Sequence, residues 1–107
     1  MKLIWILINC NSKKEAYKIG KQVLQRRLAG CFDVLSRSAS SYFWPPKSGK
    51  IERAKGCVLI LTTPQKHAKE IHKLVKKFHS DKVPFIASIE LRDVNLDYVN
   101  WIKEEIS

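Results

Sequence analysis

His79 and Asp81 are the residues of this 107-residue chain best spaced to hold a divalent cation. An imidazole nitrogen and a carboxylate oxygen two positions apart suit a borderline metal, but two donors do not complete a site. The rest would have to come from elsewhere in the fold or from a second subunit. The competing expectation for His79 is an ordinary histidine at a helix C-terminus, where an imidazolium is favoured. His67 and His72 are five positions apart, not the three or four that share a helix face, and are expected at the surface of one basic helix. Cys10 precedes a helix start, with Lys13 and Lys14 close behind, an arrangement that lowers a thiol pKa. A buried, inert thiol is the other expectation, as it is for Cys31 and Cys57. No nucleophile–base pair, carboxylate pair or glycine-rich phosphate loop is visible in the order of residues. Ser36, Ser38, Ser40 and Ser41 have no histidine nearby in sequence. Binding rather than catalysis is therefore expected. An enzyme whose cleft lies between subunits, lined by Tyr42, Lys50 and Glu52, is the alternative.

These residues need elements to position them. Residues 2–10 are a nearly continuous apolar run, expected as a strand covered on both faces. Ser12-Lys13-Lys14-Glu15 is a capping box: the Ser12 hydroxyl is expected to accept from the Glu15 N–H, and the Glu15 carboxylate to return to Ser12. Ala16, Ile19, Gly20, Val23, Leu24 and Leu28 then recur at helical spacing, with Gly30 expected as the C-terminal cap. A second strand is expected from Cys31 to Trp44, with an irregularity at 36–41, ended by Pro45-Pro46. Its hairpin partner starts at Lys50, and 57–63 is the most strand-like stretch in the chain. Thr63-Pro64 is expected to open a second helix with the apolar stripe Ala68, Ile71, Leu74, Val75 and Phe78. Val83-Pro84 is expected to stop it. Residues 85–91 make a fourth strand, and Asn95 or Asp97 caps a last helix carrying Tyr98, Trp101 and Ile102.

The order predicts one α+β domain over residues 1–107: a ferredoxin-like βαββαβ sandwich with a C-terminal helix and a long second–third strand hairpin. The N-terminal apolar run is too short for a membrane helix and lacks a cleavage site of small residues. Three cysteines at wide spacing argue for a reducing compartment, and the cytoplasm is expected. Twenty Lys and Arg oppose ten Asp and Glu, a net charge of +10. Residues 1–87 carry 18 basic and 5 acidic groups, and 88–107 carry 2 and 5. Such a field attracts anions or nucleic acid, unless the lysines simply solvate the outer helix faces.

A four-stranded sheet with two helices on one face leaves the other free. RNA-recognition modules stack bases there, on aromatics of the central strands. Here the third strand reads Lys55-Gly56-Cys57-Val58-Leu59-Ile60-Leu61, without an aromatic, and the first offers Trp5 alone. Nucleic acid is therefore not the expected partner. Tyr42, Phe43 and Trp44 at the hairpin tip point instead to insertion into a neighbouring subunit.

The residues at these positions resemble the CutA family of divalent-cation tolerance proteins. Leu24 to Cys31 is similar to that family's L-x-x-x-L-A-A-C helix end. Ser41-Tyr42-Phe43-Trp44 with Gly49-Lys50-Ile51-Glu52 resembles its S-x-Y-x-W-x-G-K-I hairpin. Leu61-Thr62-Thr63, Val83-Pro84-Phe85-Ile86 and the run from Asp97 to Ile102 resemble its K-T-T, V-P-E-I and D-Y-L-x-W segments. The resemblance implies a homotrimer of PII-like architecture linked to copper and other divalent cations. It implies no required cofactor and at most weak Cu2+ binding, with Tyr42, Phe43, Trp44, Lys50 and Trp101 at the subunit interface. Three departures stand out. Pro45-Pro46-Lys47-Ser48 lengthens the hairpin, and His79-Ser80-Asp81-Lys82-Val83-Pro84 keeps the histidine of an H-P-Y-x-x-P segment but not its first proline or tyrosine. The strand-one cysteine of some members falls at Ile8; Cys10, on the same strand face, is its expected substitute as a metal ligand beside His79 and Asp81.

Overall fold

The computed structural model describes residues 1–106. Its elements run β1 (Leu3–Cys10), α1 (Lys13–Gln25), β2 (Cys31–Phe43), β3 (Ile51–Pro64), a 3-10 turn (Gln65–His67), α2 (Ala68–Phe78), β4 (Ile86–Glu90) and α3 (Leu96–Glu105). The sheet order is β2-β3-β1-β4 with every neighbouring pair antiparallel, the arrangement of a ferredoxin-like α+β sandwich.

Strand alternation decides what each face does. Ile4, Ile6, Ile8 and Cys10 of β1 and Cys57, Leu59 and Leu61 of β3 turn toward the two helices. There they bury against Ala16, Ile19 and Val23 of α1 and Ile71 and Val75 of α2. The opposite face carries Trp5, Leu7, Val58 and Ile60. One end of it is capped by α3, whose Tyr98 hydroxyl lies 3.4 Å from the Cys31 Sγ. Gly30 allows that docking: a Cβ there would stand 2.4 Å from Ile102 Cγ1.

Several local expectations change. Helix α1 ends at Gln25, not near Gly30. Arg27 takes the left-handed conformation (φ 54°), while Arg27 N–H donates to Leu24 and Leu28 N–H to Val23. This pair of bonds is a Schellman motif, and it closes the helix on a charged residue rather than on glycine. Gly30 N–H instead donates to the Thr62 carbonyl at 2.9 Å. Thr63 does not cap α2, because β3 continues through Pro64. The buried Thr63 hydroxyl donates to the Leu28 carbonyl at 2.6 Å, a non-local use of a residue whose sequence context reads as a cap. Helix α2 ends at Phe78, five residues before Val83-Pro84, with His79 as its C-cap. His67 sits in the 3-10 turn and His72 in α2, so they do not share one helix; both are half-buried.

The β2–β3 ribbon projects from the sandwich. A register shift between Arg37 and Ser40 interrupts its ladder, as the 36–41 irregularity predicts. The molecule measures 48 × 27 × 22 Å with a radius of gyration of 15.0 Å. A compact domain of this length has about 13 Å, and the ribbon accounts for the excess.

Candidate functional site: a buried knot at the helix ends

The C-terminal end of β1, the N-terminus of α1 and the C-terminus of α2 converge on one point. The Ser12 hydroxyl accepts from Glu15 N–H at 3.1 Å, the first half of the capping box. The second half is displaced by one residue. Glu15 Oε1 accepts from Asn11 N–H at 3.0 Å, and Oε2 reaches across to Ser80 N–H at 2.9 Å. One carboxylate thereby ties the start of α1 to the exit of α2.

His79 lies beneath it with a fully buried side chain. Its Nε2 is 2.6 Å from the Asn9 carbonyl, which can only accept, and its Nδ1 accepts from Asp81 N–H at 3.0 Å. The two bonds agree on one form of the ring, the neutral Nε2–H tautomer. Glu15 Oε1 is a further 3.5 Å from Nε2. Burial resists ionisation of Glu15, but hydrogen bonds from the Ser80 side chain, Asn11 N–H and Ser80 N–H hold its carboxyl below the ordinary range. Cys10 behaves oppositely. Burial, then the charge of Glu15, pushes its thiol up to about 12, so Lys13 and Lys14 do not make it a thiolate.

The Cys10 Sγ, a Glu15 oxygen and a His79 ring nitrogen lie within 4.8 Å of one another. Sulfur, nitrogen and oxygen together are the donor set of a borderline divalent cation. As folded, though, the cluster does not fit a resident one. Nε2 is the nitrogen 3.5 Å from Glu15 Oε1, and it carries a proton held by Asn9. Moving that proton to Nδ1 would set it against Asp81 N–H, donor against donor. Cys10 would also have to give up its proton. The three expected ligands are thus divided: His79 and Cys10 meet, while the exposed Asp81 turns its carboxylate to Asn11 Nδ2 at 2.9 Å. Glu15 stands where Asp81 was expected. The S-x-x-E spacing marked Glu15 only as a cap, because its partner at position 80 is far away in sequence.

The expected interface residues occupy two places. Tyr42 and Phe43 end β2 at the tip of the ribbon and Trp44 follows them, its N–H donating to the Lys50 carbonyl at 3.0 Å. Phe43 is 73% exposed, Trp44 57% and Ile51, opposite Phe43, 65%. Trp101 lies on α3, its ring 5.4 Å from that of Tyr98, and remains 43% exposed.

The fold and the knot define a ferredoxin-like protein with buried polar side chains at its helix ends and an apolar ribbon. Residues 4–105 match the family model of the CutA1 divalent ion tolerance protein, and the chain belongs to that family. It is 36% identical over 92 residues to the divalent-cation tolerance protein CutA of Pyrococcus horikoshii, covering 86% of each chain. It is 26% identical over 102 residues to a CutA homolog of Danio rerio, of whose length it spans 66%. The solved structure described as the periplasmic divalent cation tolerance protein CutA of Archaeoglobus fulgidus superposes with a TM-score of 0.91 at 30% identity. That match covers 98% of this chain and 99% of the other.

Proposed function

We propose that this chain acts in divalent-cation tolerance as a homotrimer that binds rather than transforms its ligand. The exposed ribbon tip carries the reading. Fully burying one large apolar side chain contributes about 1.5–3 kcal/mol, so Tyr42, Phe43, Trp44 and Ile51, each 44–73% exposed, together offer about 4–7 kcal/mol per ribbon when covered. A ribbon of this length cannot fold back to cover its own tip, and a second copy of the chain supplies a matching apolar surface. The state of Cys10 supports binding over catalysis, since a thiol pushed up to about 12 is poorly suited to act as a nucleophile. The free sheet face favours protein over RNA, because Trp5 stands between Thr62 and Ile89, with Leu7, Ile60 and Val58 further along, in place of a stacking platform. A cation, copper(II) included, is proposed to associate weakly rather than to reside in the knot. The three free cysteines favour a reducing compartment such as the cytoplasm.

Sedimentation equilibrium tests the assembly. The expected result is a trimer for the wild type and dissociation for the double variant Phe43→Asp/Trp44→Asp. A monomeric wild type at micromolar concentration would remove the proposal.

A further inference from the structure

A cavity of about 780 Å³ opens between the ribbon and the loop after α2, within the size range of small-molecule sites. Arg37 lines it, and its side chain makes no hydrogen bond or ion pair to another described side chain. Its Nε is buried without a partner while the residue as a whole is half-buried, so the rest of the fork is what faces the cavity. The arginine is not there by accident of an open surface. It pairs across the ladder with Gly56, and a Cβ at that glycine would stand 2.7 Å from Nη2 and 2.5 Å from the Cys10 carbonyl. Glycine thus makes the slot in which the guanidinium lies. The register shift that begins at Arg37 interrupts the ladder at this same point.

The remaining lining says what would fill the space. Lys82 adds a second cation, and Asn9 and Asn11 add amides. The one lining carboxylate, Asp81, is already held by Asn11, and Lys82 makes no ion pair among the described residues. Tyr42 and Trp44 provide flat apolar walls; on the proposed trimer reading the cleft therefore lies at the edge of the subunit interface. We infer that this cleft binds a small organic oxyanion, a carboxylate or phosphate carried on a planar ring, with Arg37 as its anchor. The guanidinium fork takes two oxygens of such a group at once, which a lysine does not. The ring lies against the aromatic wall, and the charge of the chain draws the anion in. This site adjoins the knot, sharing Asn9, Asn11, Ser80 and Asp81 with its rim, and requires no metal.

Calorimetric titration of the full-length protein with benzoate and with phenyl phosphate tests it. Benzyl alcohol serves as the neutral control and inorganic phosphate as the control without a ring. Saturable binding with Kd on the order of 1 mM is expected for at least one ring-bearing anion. The tighter of the two identifies the oxyanion. Arg37→Gln should weaken it at least about tenfold, and Arg37→Lys by a smaller factor of about three to ten. Circular dichroism and sedimentation are recorded for each variant, and both are expected to match the wild type. Absence of saturation up to about 10 mM, equal binding of benzyl alcohol, or equal binding by Arg37→Gln each overturns the inference. So does dissociation of the assembly by Arg37→Gln, which would make Arg37 an intersubunit pairing residue. A monomeric but anion-binding wild type would instead reject the trimer and leave this site standing.

Discussion

Replacing Glu15 with glutamine should cost this fold far more than a surface Glu→Gln exchange, and the cost should vanish in acid. The Glu15 carboxylate accepts two backbone N–H groups, from Asn11 at 3.0 Å and Ser80 at 2.9 Å, and its side chain is only 12% exposed. A hydrogen bond to a charged group contributes about 1.5–3 kcal/mol net. Glutamine keeps one acceptor oxygen, so one bond is lost, and its amide NH2 confronts the N–H that the second oxygen used to receive. The expected loss at pH 7 is about 2–4 kcal/mol, a large share of the stability of a small domain. The folded carboxyl titrates below its ordinary value of 4.5. Its contribution is therefore complete above about pH 5.5 and is lost as pH falls through 4.5 toward the depressed folded value. Glutamine does not titrate. Urea unfolding followed by far-ultraviolet circular dichroism, at one protein concentration and at pH 7, 5 and 3, measures the gap between the two proteins. A gap under about 0.5 kcal/mol at pH 7 would refute the knot as a stabilising element. A gap that stays constant down to pH 3 would refute the carboxylate as its cause.

Gly30→Ala places a methyl group 2.4 Å from Ile102 Cγ1 and should destabilise by about 1–3 kcal/mol while loosening α3. An unchanged urea midpoint and unchanged Trp101 fluorescence would show that Gly30 is not what lets α3 dock. Copper(II) titration at pH 7 should give equally weak binding to the wild type and to His79→Ala, because the imidazole proton on Nε2 is held by Asn9. Binding to the wild type ten times tighter than to His79→Ala would mean that the ring changes tautomer and that the knot does accept a cation.

Much of the architecture was legible in the order of residues because it is periodic. The β1 run, the α1 and α2 stripes and the turn at Pro45–Gly49 each carry their structure locally, and together they imply the sheet order actually found. Helix ends were less legible. The Schellman motif on Arg27 and the early stop of α2 at Phe78 depend on hydrogen bonds that a glycine or proline count does not anticipate. Thr63 shows the reason most plainly: a Thr-Pro pair reads as a cap, but a carbonyl 35 positions away takes its hydroxyl.

The candidate site divides along the same line. Sequence picked out His79 with Asp81 by residue type and position, and Cys10 through the resemblance to the family's strand-one cysteine, and it determined the charge that draws anions. Which carboxylate stands beside His79 was decided by tertiary structure: Asp81, two positions away, faces Asn11, and Glu15, 64 positions away, faces the imidazole. The chain leaves α2 extended at His79, so the Asp81 backbone reaches the ring while its carboxylate turns to Asn11, and a distant segment supplies Glu15. The unpaired guanidinium of Arg37 is likewise invisible until β2 and β3 are in register, because only then does Gly56 lie beneath it. Residue types and their periods set the elements. Proximity of charges and donors belongs to the packing that brings those elements together.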